Sequence, residues 1–150
     1  GFKEMISAAE KVYTGDILPP DSDDYISTAN LFAFQAKIIK ELAQQESCII
    51  LGRCGNYLLD GVDGVLRVFI HAPLESRIAR VASYSLAWSE REVARYIRVE
   101  DKRRAAYYHY YTGEEWRDAG AYDLCLDSEK LGEDGCVQRI MQVLPLYSAK

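Results

Sequence analysis

A chain of 150 residues, 49% of them hydrophobic, can bury one sizeable core, so a single domain over 1–150 is expected. A net charge of −5 argues against a general nucleic-acid or membrane-surface binder. Two histidines and four cysteines without a C-x-x-C pair offer no zinc pattern and fit a reducing, cytoplasmic setting. No signal peptide, membrane span, lipidation motif or repeat is legible. The first residue is Gly1 rather than methionine, so residues upstream are expected.

Residues 1–13 carry Met5, Ile6, Ala9 and Val12 at helical spacing, and Gly15, Pro19-Pro20 and four aspartates then predict a loop to about Ser27. Thr28 or Asn30 caps a helix over about 30–45, with Leu31, Phe34, Ile38 and Leu42 as its buried stripe and Gln35, Lys37, Lys40 and Glu41 outward. Cys48-Ile49-Ile50-Leu51 then reads as a strand covered on both faces, ending in Gly52-Arg53. A short helical segment at Asn56–Leu59 follows, then Gly61 and Gly64.

Val65 to Ile70 is a second strand, interrupted by Arg67. Pro73 and Glu75 open a helix whose inner face is Leu74, Ile78, Val81 and Ala82, with Arg77 and Arg80 toward the other side. Ser89-Glu90-Arg91-Glu92 is a capping box starting a long helix to about Tyr111, stopped by Gly113. Val93, Ile97, Ala105 and Tyr108 are its packing residues, and Arg91, Arg95, Arg98 and Lys102 share another face. Tyr122 to Leu126 is a third strand. Asp127 to Gly132 turns into a last helix over about 133–143, with Val137, Ile140, Met141 and Leu144 inward. This alternation predicts an α/β fold with a mostly parallel sheet.

Charge is unevenly distributed. Residues 77–104 hold eight basic residues against four acids, so that segment is +4 and the remainder −9. A basic focus on an acidic chain suits a small anion better than a long polyanion. In open α/β sheets ligands bind beyond the carboxyl ends of strands, where Arg53 would stand; a solvated arginine in a glycine turn is the alternative. Asp101 and Arg104, on a face shared with Arg98, can read an anionic group and its neighbouring donors, or form an intrahelical ion pair on a wet surface. The run Tyr107-Tyr108-His109-Tyr110-Tyr111 cannot share one helix face; packing accounts for it better than stacking on a nucleobase. His109 lacks a nearby nucleophile or orienting acid for work as a base.

Taken together, Gly52-Arg53, Val68-Phe69-Ile70-His71-Ala72-Pro73-Leu74-Glu75-x-Arg77-Ile78, Asp101-Lys102-x-Arg104-Ala105-x-Tyr107-Tyr108, Tyr110-Tyr111-Thr112-Gly113 and Tyr122-Asp123-Leu124-x-Leu126-x-Ser128 resemble the cytidylate kinase-like family of P-loop nucleoside-monophosphate kinases, over roughly residues 30–143. The resemblance implies a three-layer α/β/α fold with residues 85–121 as a lid-like helical excursion. It also implies ATP with Mg²⁺ and phosphoryl transfer to a pyrimidine nucleoside monophosphate. Arg53 would then meet the acceptor phosphate, and Asp101 and Arg104, with Arg98 beside them, the acceptor nucleotide. Arg77 and Arg80 would steady ATP phosphates, and Ser128, Lys130 and Gly132 would belong to the loop passing the adenine. No metal ligand is implied among these residues.

Cys54 stands where cytidylate kinases carry an aspartate after Gly-Arg, which leaves the acceptor base open. No G-x-x-x-x-G-K-[ST] occurs in residues 1–150, so the P-loop strand of the family is expected upstream of Gly1 and no turnover is expected from these residues alone. The alternative is a non-catalytic nucleotide-fold protein that binds or self-assembles. An unpaired buried strand edge would favour a homo-oligomer. A nucleic-acid polymer and a membrane are not expected partners.

Overall fold

A computed structural model of the chain describes residues 28–84 and 88–147, so the helix expected over 1–13 and the loop to Ser27 lie outside the described residues. The elements run α1 (Thr28–Gln45), α2 (Gly55–Leu58), β1 (Val68–His71), α3 (Leu74–Tyr84) and α4 (Glu90–Thr112). A 3-10 turn (Ala119–Ala121), β2 (Leu124–Asp127), α5 (Ser128–Val143) and a second 3-10 turn (Leu144–Leu146) complete the order. The two strands are parallel, as the alternation of helix and strand predicts. Two compact units divide the described residues: those from 28 to Asp60 with Tyr111–Gly113 form one, and those from Gly61 to Tyr110 with Glu114 to Tyr147 form the other.

In the first unit α1 packs on α2, the buried row of α1 is Phe32, Ala36 and Ile39, and Phe32 stacks on Tyr111 with ring centroids 3.9 Å apart. The buried row is thus not the expected one. Leu31, Phe34, Ile38 and Leu42 are the exposed stripe. The helix is apolar on two faces, so spacing alone does not choose between them. Small Ala36 and the ring partner for Phe32 decide it.

The expected strand over Cys48–Leu51 does not form either: these residues join no ladder, and Ile49 and Leu51 are 91% and 85% exposed. A strand covered on both faces needs neighbours to take its N–H and C=O groups, and none of the described residues pairs with it.

In the second unit β1 and β2 pair in register from Val68↔Leu124 to His71↔Asp127, and α5 lies against both. Both strands begin two or three residues later than their apolar runs suggest. The reason is a clamp at their entrance. Asp123 accepts from the Arg67 backbone N–H at 2.8 Å and from its guanidinium at 3.0 and 2.8 Å, while Arg67 O accepts from the amides of Asp123 and Leu124. The basic interruption in the apolar run is therefore one half of a half-buried ion pair.

The capping box forms as its spacing predicts: Ser89 Oγ and N donate to Glu92 Oε2 at 2.7 and 2.8 Å, and the Glu92 amide points back at Ser89 Oγ at 3.4 Å. Gly113 closes α4 at φ +73°, where a side chain would be strained. Val93, Ile97 and Tyr108 are buried along α4. Ser89→Ala should lower the thermal midpoint by roughly 2–4 °C, measured by circular dichroism, because the first turn loses its acceptor.

The last helix starts earlier than expected. Asp127 caps it by accepting from the Glu129 amide at 3.0 Å, and Gly132 (φ 66°, ψ 179°) then breaks its course. That break resets the helical phase. Cys136, Ile140 and Val143 become the inner row, and Val137 and Met141, expected inward, are exposed.

Candidate functional site

The largest convergence of charge in the described residues centres on Asp101, midway along α4. Arg77 holds it with both prongs, NH1 to Oδ2 and NH2 to Oδ1, each at 2.7 Å. Arg117 donates to Oδ2 at 2.7 Å, and Arg104 NH1 lies 3.7 Å from Oδ1. One carboxylate cancels one of three guanidinium charges. Two positive charges remain around a side chain that is itself only 15% exposed.

Local sequence explains each arm. Pro73 opens α3, its carbonyl accepting from the Arg77 amide at 3.1 Å, so Arg77 stands one turn in. Its guanidinium turns to α4 and is half-buried, where the sequence placed it with Arg80 on the outer side. Arg104 follows Asp101 at i+3, on the same face.

Arg117 is on the loop after α4. Its neighbour Trp116 packs edge-on to Phe69 of β1 at 5.8 Å, and the Trp116 carbonyl accepts from Tyr122 Oη at 2.8 Å. The guanidinium carbon lies 5.7 Å from the Trp116 ring centroid, a cation–π contact. Arg117 lies in none of the motifs legible in the sequence. Its signal is small but present: it is the one Lys or Arg between Arg104 and Lys130, set beside a tryptophan in the acidic run Glu114-Glu115-Trp116-Arg117-Asp118.

The electrostatics follow from contact. Hydrogen bonding from Arg77 is the main force holding the Asp101 carboxyl below its ordinary range, against partial burial, with the charges of Arg77, Arg117 and Arg104 adding to it. The same hydrogen bond raises Arg77 further above its already high value. Asp101 is thus a fixed anion, and Arg77 a fixed cation.

Arg53 belongs to the first unit, in a turn of uncommon conformation. Gly52, Arg53 and Cys54 have φ of 67°, 56° and 58°, three left-handed residues in succession. Left-handed conformation costs about 1–2 kcal/mol for each non-glycine residue, so the turn stores strain at two of them. It leaves Arg53 exposed while burying Cys54, whose thiol is pushed up to about 12 by that burial.

Arg80 and Arg98 are exposed and form no ion pair among the described residues; they are not in the Asp101 cluster. Ser128 is buried, its hydroxyl donating to His71 O at 3.2 Å, and Lys130 and Gly132 are exposed beyond it on α5. Tyr108 and Tyr111 of the aromatic run are packed inward, and Tyr110 and His109 face solvent. His109 Nδ1 lies 3.3 Å from Glu114 O. Among the described residues no three His, Cys, Asp or Glu side chains gather as a metal site, so they offer Mg²⁺ no cage of their own. The forks around Asp101 do fit phosphate oxygens. No helix among them is long and apolar enough to cross a membrane.

Residues 2–130 match the cytidylate kinase-like family. The chain belongs to that family. A cytidylate kinase of Methanosarcina acetivorans is 31% identical over 87 residues, a stretch covering 57% of this chain and 48% of the relative. The chain thus spans about half the length of the curated relative it matches. A crystal structure of an uncharacterized protein from Eubacterium ventriosum aligns over 97% of this chain and 74% of its own, at 23% identity and a TM-score of 0.72. That likeness establishes a shared α/β fold.

Proposed function

We propose that the chain is part of a nucleotide kinase that moves a phosphoryl group from ATP, carried with Mg²⁺, to a pyrimidine nucleoside monophosphate. The observation that carries this is the Asp101 cluster: three guanidiniums fixed on one carboxylate, within a chain of the cytidylate kinase-like family. Phosphoryl transfer of this kind asks little covalent chemistry of the protein. It asks for positive charge held in position around transferring oxygens, which preset arginines supply.

In this reading Arg53 meets the acceptor phosphate, and Asp101 and Arg104, with Arg98 nearby, meet the acceptor nucleotide. Arg77 and Arg80 steady the ATP phosphates, and the Ser128–Lys130–Gly132 segment passes the adenine. Residues 1–150 contain no G-x-x-x-x-G-K-[ST], so binding without turnover is the outcome expected of them alone. Titration calorimetry with CMP, dCMP, UMP and ATP, alongside a coupled ADP-release assay, tests both halves. Absence of binding by all four nucleotides would overturn the reading. The exposed Ile49 and Leu51 also make self-association expected, and sedimentation showing a strict monomer at calorimetric concentrations would remove it.

A further inference from the structure

We infer that Arg117 is a phosphate-binding residue, forming with Arg77 and Arg104 a three-guanidinium site for a phosphoryl dianion, with Asp101 as the residue that positions all three. The identity of that dianion as a nucleotide phosphate rests on the kinase reading above. The site itself rests on geometry.

Asp101 has two oxygens and three cationic partners within 3.7 Å of them. Its acceptor capacity is directed at arginines, so in this arrangement it sets guanidinium orientation. The uncompensated charge equals that of one phosphoryl dianion. Arg77 is mostly covered, whereas Arg104 and Arg117 are 55% and 62% exposed and keep donors turned to solvent. Arg117 is also held from behind: Trp116 lies under its guanidinium and is itself wedged against Phe69 and tied to Tyr122. An arginine fixed on two sides with its remaining donors open loses little entropy on capturing an anion. A nucleic-acid strand is disfavoured because the chain outside 77–104 carries −9 and would repel a long polyanion.

Titration of the chain with inorganic pyrophosphate and, separately, with CMP and ATP tests the assignment. Arg117→Ala should weaken pyrophosphate and at least one nucleotide by roughly tenfold, since one charge-assisted contact is lost. Arg117→Lys should recover only part, because it lacks the fork. Arg103→Ala, an exposed cation paired with Glu100 outside the cluster, should change neither.

Asp101→Asn supplies the readout that separates positioning from bulk charge. It makes the site more positive, yet binding should weaken because the arginines lose their anchor. Tighter binding by that variant would overturn the positioning role. Wild-type-like binding by Arg117→Ala, with wild type binding both probes, would overturn the inference and leave the kinase reading standing. Pyrophosphate binding that depends on Arg117 without any nucleotide binding would sustain the anion site and sink the kinase reading. Binding of neither probe by wild type would sink both.

Discussion

Replacing Asp123 with alanine is expected to destabilise the second unit by about 3 kcal/mol. The pair it forms with Arg67 is mostly covered, with side chains 15% and 21% exposed. The carboxylate serves two kinds of donor, the Arg67 backbone N–H and both sides of its guanidinium fork. Alanine would take the charged acceptor from a half-buried guanidinium and remove the acceptor of a backbone amide at the strand entrance. Asp123→Asn, which keeps an acceptor oxygen but no charge, should lose about half as much. Urea unfolding followed by tryptophan emission is the direct measurement, because Trp88 and Trp116 both lie in this unit and Trp116 sits against β1. A shift in midpoint at constant slope supports the assignment. A loss under about 0.5 kcal/mol would mean the pair behaves as an ordinary surface ion pair.

Acid should act on the same contact. The Arg67 hydrogen bonds, from guanidinium and backbone, hold the Asp123 carboxyl below its ordinary value of 3.8, and Asp101 is lowered likewise by Arg77. A carboxyl depressed in the folded state means the unfolded chain takes up protons first as pH falls. The stability these groups contribute is therefore present above about pH 4 and drains away as pH drops through their folded values. Midpoints measured from pH 6 downward should fall below about pH 4 in the wild type. They should fall less steeply in Asp123→Asn, which has no such proton to gain.

Which features were legible follows from the range of the interactions that make them. Ser89 and Glu92 meet within three residues, Pro73 and Gly113 act on their own turn, and all three were readable because nothing distant can override them. The parallel pairing of two short apolar runs followed from the helices between them. What failed depended on partners. The Cys48–Leu51 run has the composition of a buried strand, but composition does not provide a neighbour to pair with. Helix α1 offers two apolar stripes, and only the stacking of Phe32 on Tyr111, 79 positions away in the chain, selects one. In the candidate site, Arg77, Asp101 and Arg104 were found by motif, though the sequence did not place Arg77 against Asp101 across 24 positions. Arg117 belonged to no motif, and its role emerges only once Trp116 is seen packed on β1.

Arg77→Ala is the substitution expected to alter ligand binding most. Its fork and the Asp101 carboxylate form two parallel 2.7 Å bonds, the strongest geometry available to the pair, and both side chains are more than two-thirds covered. A double-mutant cycle between Arg77→Ala and Asp101→Ala should therefore return a coupling of about 2 kcal/mol in stability. The same cycle between Asp101 and Arg104 should return only a few tenths, since that contact is 3.7 Å long and exposed. Affinity for pyrophosphate and ATP should fall further with Arg77→Ala than with Arg117→Ala, by about 10- to 100-fold, because the deletion removes a donor and also takes away the firmest hold on Asp101, the anchor of Arg104 and Arg117. Arg77→Lys separates the two contributions. A lysine keeps the charge but cannot grip both carboxylate oxygens, so Asp101 should be held less firmly and affinity should recover by no more than about tenfold. Full recovery would mean that a point charge suffices and that the fork has no part in binding. Unchanged affinity in Arg77→Ala would reduce Arg77 to a strut between α3 and α4, leaving Arg104 and Arg117 as the anion's partners.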